Sequence, residues 1–175
     1  MIKVLHPPRT ILEVWGSLPE GTLCQLINNN LVMSPAPTNV HQTILGKIFV
    51  SLSIFLEVKQ FGEVKLAPFD VFFGKRNIFQ PDIFFVSTEN LHQFQDKGFV
   101  GVPDLVIEIL SPGTARIDLE QKRNVYEQYG VKEYFIVDPA TKTVTALILQ
   151  GKEFIEMGET TGNFRSNLLD TIIAF

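Results

Sequence analysis

The chain has 175 residues, 45% of them hydrophobic and 15 of them Phe, enough apolar mass to bury a sizeable core and to exclude a disordered polypeptide. Its net charge of -4 excludes attraction of nucleic acid by the long-range field of the whole molecule, so any DNA contact has to come from a local basic patch. The single cysteine, Cys24, excludes an internal disulfide and a cysteine zinc cluster, suits a reducing cytoplasm, and reads as a small core or strand residue.

From the N-terminus, Met1-Ile2-Lys3-Val4-Leu5-His6-Pro7-Pro8 lacks the apolar stretch of a secretory signal. The apolar runs fall short of the ~20 residues a membrane helix needs, so a cytoplasmic protein with no membrane partner is expected. No repeat, low-complexity tract or long linker divides the sequence, and one domain over 1–175 is the expectation.

Thr10-Ile11-Leu12-Glu13 has the form of a capping box and predicts a short helix to about Gly16. Strands follow over 24–27 and 31–34, joined by Asn28-Asn29-Asn30, residues that tolerate left-handed turn geometry, as an edge hairpin. Between Pro37 and Gly62 the period becomes helical, with Val40, Ile44, Leu45, Ile48, Phe49, Leu52 and Leu56 on one face, Thr38 as N-cap and Gly62 as stop.

Strands are then expected over 63–73 and 79–86, around the turn Gly74-Lys75-Arg76-Asn77, followed by a polar stretch over 87–98 with room for a short helix. A third strand covers 103–110, and a helix over 117–129 stops at Gly130. A strand over 133–137 ends at the turn Asp138-Pro139, and a terminal hairpin pairs 143–149 with 153–157 through Gln150-Gly151-Lys152. The sum is an α/β (α+β) fold, a mixed central β-sheet flanked by helices with extra hairpins at both ends.

Glu108 stands alone in the apolar run Leu105-Val106-Ile107-Glu108-Ile109-Leu110. A buried charge costs several kcal/mol unless it is paired or bound to a metal, so Glu108 needs a partner. Asp82, in Gln80-Pro81-Asp82-Ile83, is the candidate. Two carboxylates on adjacent strands, with a lysine nearby, can hold a hard divalent cation and a phosphate ester, the outline of a metal-dependent nuclease.

Strand alternation puts Asp104, Val106, Glu108 and Leu110 on one face and Leu105, Ile107 and Ile109 on the other. On the following helix Asp118, Lys122 and Tyr126 recur at every fourth residue, so a lysine and a tyrosine can point together at the sheet. Asp70 is a candidate cross-strand neighbour of Asp82, in a register that depends on the turn. Structural roles compete at each position: strand start for Asp82, a solvent-facing pair with Asp118 for Lys122, a surface place near the N-cap for His41, core for Tyr126 and a cap for Asp104.

These residues carry a resemblance. Pro81-Asp82, then Glu108, then a lysine, on helix-strand-strand-strand-helix-strand, resembles the PD-(D/E)XK nuclease superfamily. Pro103-Asp104-Leu105-Val106-Ile107-Glu108-Ile109-Leu110-Ser111-Pro112, followed by Asp118, Lys122, Tyr126, Gly130-Val131, Glu133-Tyr134 and Val137-Asp138-Pro139, resembles the Uma-type family of restriction-endonuclease-like proteins. The similarity runs from about Leu12 to the C-terminus and is dense between Asp82 and Pro139. One departure stands out: Leu110 occupies the place of the usual lysine two residues after the acid.

The resemblance implies that Lys122 supplies the ammonium group from the helix and that His41 faces the site. It implies hydrolysis of DNA phosphodiester bonds, with Asp82, Glu108 and the carbonyl of Ile109 binding Mg²⁺ or Mn²⁺, Lys122 steadying the attacking hydroxide or the phosphorane oxyanion, and Tyr126 hydrogen-bonding Glu108. Lys75, Arg76, Arg116, Lys122 and Arg123 are the few basic residues expected near the site, so a homodimer that joins two patches is also expected. The alternative is a catalytically inactive nuclease-fold module that binds protein or nucleic acid; a hydrolase acting on another substrate with the same carboxylates is a third reading.

Overall fold

Thr10 caps α1 (Ile11–Gly16) by accepting the Glu13 N–H at 3.1 Å, but the Glu13 carboxylate reaches back to the Arg9 N–H at 2.6 Å, one residue earlier than a capping box requires. The computed structural model describes residues 7–19, 21–111, 113 and 117–175, without the Asp118 side chain. The reading of residues 1–6, and the parts given to Arg116 and to the Asp118 carboxylate, lie outside the described residues.

Strands β1 (Cys24–Ile27) and β2 (Asn30–Met33) turn on Asn28 and Asn29, both left-handed at φ 49° and 65°, which is the two-residue hairpin geometry and starts β2 one residue earlier than expected. Thr38 accepts the His41 N–H to begin α2 (Asn39–Lys59). The helix ends on Gln60, in the left-handed region, rather than at Gly62. Gly62 instead opens β3 (Gly62–Leu66) at φ +154°, where a Cβ would lie 2.1 Å from the Val86 carbonyl, so the close approach of the two strands requires glycine. At 21 residues α2 is long and apolar enough to cross a membrane, which corrects the reading of the apolar runs as too short. Its stripe of Ile44, Leu45, Ile48, Leu52 and Leu56 packs instead into the protein core.

The two long strands expected next are each broken. β3 pairs with β6 (Ile83–Ser87), whereas β4 (Val71–Phe72) pairs with β5 (Ile78–Phe79) in a different sheet. The breaks fall at Ala67-Pro68, a cis peptide, and at Gln80-Pro81-Asp82, because proline has no N–H to give a ladder. The expected helix within 87–98 is a 3₁₀ turn, Thr88–Gln93, followed by β7 (Phe94–Gln95) and β8 (Gly98–Phe99).

β9 (Leu105–Ile109) is the strand of Glu108. A π turn, Ile117–Lys122, leads into α3 (Arg123–Tyr129), which Gly130 ends at φ 90°. β10 (Glu133–Val137), β11 (Thr143–Gln150) and β12 (Glu153–Thr161) follow. The central sheet runs β12-β11-β10-β9-β6-β3, with β9 and β10 parallel and the other pairs antiparallel; the second sheet runs β2-β1-β5-β4-β8-β7. This is the mixed sheet with added hairpins that the sequence predicts. The fold also contains a terminal hairpin that the sequence reading lacks, β13 (Asn163–Ser166) with β14 (Thr171–Ala174), in a two-stranded sheet of its own.

Both faces of the central sheet are covered by the chain itself. Leu105, Ile107, Ile109 and Phe85 pack with α2 and the terminal hairpin, while Val106, Phe84 and Tyr134 pack with Phe73, Phe79 and Tyr126. The terminal hairpin is latched by buried Glu133, which accepts from Ser166 Oγ at 2.6 Å and Leu168 N–H at 2.8 Å.

Asp104 ties β6, the 3₁₀ turn and the start of β10 together. It is buried and accepts from the Ser87 N–H at 2.8 Å, from Asn90 at 3.3 Å and from the Lys132 ammonium at 2.7 Å. Burial alone raises its pKa, but the Lys132 hydrogen bond and those from Ser87 and Asn90 outweigh it and hold the carboxyl below its ordinary value. A carboxyl with a lowered folded pKa stabilises above its unfolded value of about 3.9 and loses that contribution as pH falls through the folded one. Lys132 is solvent-exposed, so its share is reduced by screening, while the bonds from Ser87 and Asn90 add to it. Asp104→Asn is expected to destabilise the protein by about 1–3 kcal/mol at pH 7. Urea unfolding should show that gap narrowing as pH falls below about 4, where the unfolded carboxyl is protonated, and closing only once pH passes below the lowered pKa of the folded carboxyl; a gap that does not change with pH would exclude a charged Asp104.

Candidate active site

Asp82 and Glu108 meet because of strand register. Ile83 pairs with Ile107 across the antiparallel β6–β9 ladder, so the next position brings Asp82 opposite Glu108. The Pro81 break frees the chain at that point, and Asp82 folds its carboxylate onto the end of β9: Oδ2 accepts the Ile109 N–H at 2.7 Å and lies 3.2 Å from His41 Nε2. Among the described residues Asp82 Oδ1 has no hydrogen bond.

Glu108 is buried on the face shared with Val106, as alternation predicts. Its Oε1 accepts from Lys122 Nζ at 2.9 Å and from the Tyr126 hydroxyl at 2.6 Å. Its Oε2 lies 3.4 Å from the Asp82 N–H, a long contact. Lys122 ends the π turn and Tyr126 lies one α-turn on, so the predicted spacing of these two holds and both reach one carboxylate oxygen.

His41 sits in the first turn of α2, buried rather than on the surface. Its Nδ1 has no hydrogen-bond partner among the described residues. Burial opposes its protonation, but the hydrogen bond with Asp82, the charges of Asp82 and Glu108, and the Ile109 carbonyl overcome this and raise its pKa. The register left open for Asp70 is settled: Val71 pairs with Phe79, which sets Asp70 opposite Gln80 rather than Asp82, and the Gln80 amide donates to Asp70 Oδ1 at 2.9 Å. Burial raises the Asp70 pKa, opposed by that bond.

Sequence reasoning passed over Gln25. This buried amide on β1 accepts the Gln80 N–H at 3.0 Å and donates to Ser34 Oγ at 3.0 Å, so it clamps the main chain two residues before Asp82. The signal was present: a lone amide in the strand Cys24-Gln25-Leu26-Ile27 raises the same question of partners as Glu108.

The groups converge on a pocket of about 240 Å³. Among the described residues Lys122 is the one Lys or Arg that lines it. Lys75 and Arg76, expected near the site, are at the far end of the second sheet: the Asn29 N–H binds the Arg76 carbonyl there, at the tip of the first hairpin, while the pocket takes the opposite end of that hairpin at Leu23, Gln25 and Ser34. Arg123 does not line the pocket.

The donor set suits a small hard cation. Among the described residues no cluster of three or more His, Cys, Asp or Glu side chains forms a metal cage. Two carboxylates on adjacent strands, with Asp82 Oδ1 carrying no hydrogen bond among the described residues, match Mg²⁺, which takes one or two carboxylates and fills its sphere with water and phosphate.

A mixed sheet with an acidic pair across its central strands and a helix covering one face is the architecture of a restriction-endonuclease-like protein. A crystal structure described as a "putative nuclease belonging to DUF820", from Anabaena variabilis, superposes with a TM-score of 0.76 over 93% of this chain and 92% of its own, at 20% sequence identity. The sequence profile of the Uma2 family, described as "Putative restriction endonuclease", matches residues 12–168, and the chain belongs to that family. No curated protein matches it.

Removing one member of a buried ion pair strands the other. Lys122→Met is therefore expected to cost about 3–5 kcal/mol, and Tyr126→Phe about 1.5–3 kcal/mol for one bond to a charged acceptor. Denaturant unfolding at pH 7 should show the double change Glu108→Leu with Lys122→Met recovering most of the loss. A double variant no more stable than Lys122→Met would show that Lys122 stabilises by something other than its pair.

Proposed function

We infer that the protein is a metal-dependent endonuclease that hydrolyses DNA phosphodiester bonds. The observation that carries this reading is the meeting of Asp82 and Glu108 across the β6–β9 ladder with the Lys122 ammonium 2.9 Å from Glu108 in the same pocket. A purely structural carboxylate would be satisfied by Lys122 and Tyr126 alone. A second acid, held to the strand end by Ile109 and His41, adds negative charge that packing does not need.

Mg²⁺ or Mn²⁺ would be held by Asp82 and Glu108, with the Ile109 carbonyl, and when bound would supply Lewis acidity and an activated water. The reaction forms one bond from a water oxygen to phosphorus and breaks one phosphorus–oxygen ester bond, leaving a phosphate monoester and a hydroxyl. Lys122 brings positive charge to the place where the phosphate oxygens gain negative charge. Tyr126 fixes Glu108, and His41 fixes Asp82, so neither carboxylate has to reorganise as the charge develops. A nuclease-fold module that binds without catalysis is the second reading, favoured by the pocket having one Lys or Arg among its described lining residues and by the net charge of -4.

Calorimetric titration of Mn²⁺ into wild type, Asp82→Asn and Glu108→Gln, with nicking of supercoiled plasmid in the same buffer, separates the two. Wild type is expected to bind the metal and nick, and each variant to bind at least about 10-fold more weakly and nick at about 1% of the rate or less. Metal binding unchanged in both variants would refute the assigned ligands, and metal binding by wild type with neither plasmid nicking nor cleavage of a free strand would favour the binding module.

A further inference from the structure

We propose that the substrate is a DNA strand free of its complement, single-stranded or locally unpaired, rather than intact duplex; this rests on the nuclease reading above. Three observations carry it. The acidic pair and its lysine are sunk: the side chains of Glu108 and Lys122 keep 3% and 4% of their exposure, and only Asp82 keeps as much as 17%. The pocket above them holds about 240 Å³, below the ~300–1,000 Å³ usual for small-ligand sites. Its walls come from separate parts of the chain: Val32 and Ser34 on the first hairpin, Pro35 and Pro37 in the segment leading into α2, Pro68 at the break after β3, and Ile117 at the π turn.

A recess of that size takes one phosphodiester with part of a flanking sugar. In a duplex each phosphate is fixed on a stiff cylinder beside its neighbours on the same strand, and DNA resists bending over many base pairs. Presenting one phosphate to the Lys122 ammonium past those walls would require the nucleotide to leave the stack. Enzymes that reach a recessed site in duplex pay a few kcal/mol for such extrusion, and least where the base is already unpaired.

The charge pattern agrees. Duplex affinity is gained by many Lys and Arg contacts along the backbone, and this pocket has one among its described lining residues, while Lys75 and Arg76 point their turn away from it. The remaining polar lining, with Gln25, Gln42, Gln80 and Ser34, offers amides and a hydroxyl, groups that hydrogen-bond a sugar or base edge without neutralising a phosphate run.

The test is cleavage by the wild-type protein in Mn²⁺ of one end-labelled strand presented alone, in full duplex, and in a duplex with an internal unpaired bubble at that site. The strand and the bubble are expected to be cut at least about 10-fold faster than the duplex, with cleavage of the bubble confined to its unpaired segment. Duplex cut as fast as the free strand would overturn this inference and leave the nuclease reading intact. No cleavage of any of the three, with Mn²⁺ bound, would overturn both.

Discussion

The carboxylate of Glu108, enclosed in the middle of the central sheet, is the constraint around which the protein is arranged. Left alone there it would cost several kcal/mol, so the fold has to bring hydrogen-bond donors to it. Lys122 and Tyr126 both reach Oε1, and both sit on the segment that leaves β9 and returns to β10. The connection between the two parallel strands is thereby pinned to the sheet by a charge as well as by apolar contact. A wide π turn at Ile117–Lys122 delivers the lysine, in keeping with the tendency of such turns to occur where a side chain has a task.

The second constraint is made by proline. Pro68 and Pro81 end the ladders of β3 and β6 at the same level, and the chain crosses there into a second sheet. Asp82 stands at that corner, where its carboxylate can turn onto the β9 backbone. The corner is held by main-chain groups, with the Ala67 N–H on the Asp82 carbonyl and the Gln80 N–H on the Gln25 amide. The placement of Asp82 therefore depends on contacts from β1, more than fifty residues earlier in the chain.

Polar groups divide into those that serve the site and those that serve the frame. Asp104 and Glu133 are as buried as Glu108, yet every partner they have belongs to a neighbouring element, and they lie away from the pocket lining. Glu108, Asp82, Lys122 and His41 share one pocket and one another. Burial alone does not distinguish the two sets; convergence does. The structural neighbour at 20% identity has the same fold, and beyond the fold the reading of function rests on this convergence.

Much of this was written in the sequence because it is local. The cap at Thr38, the left-handed pair Asn28-Asn29, the stop at Gly130, the strand at Glu133–Val137 and the alternation that turns Glu108 away from Ile107 and Ile109 all follow from neighbouring residues. The lone acid in an apolar strand and the i,i+4 pair of Lys122 and Tyr126 were legible for the same reason. What sequence spacing could not settle was register and sheet membership. It joined two pairs of short strands into long ones, left open whether Asp70 lies beside Asp82, put Lys75 and Arg76 near the site, and passed over Gln25 and the β13–β14 hairpin. Each of these turns on which distant strand pairs with which, and a ladder offset of one residue moves a side chain to the other face. Local periodicity fixes how a side chain points relative to its own strand, but only the packed sheets decide what it points at.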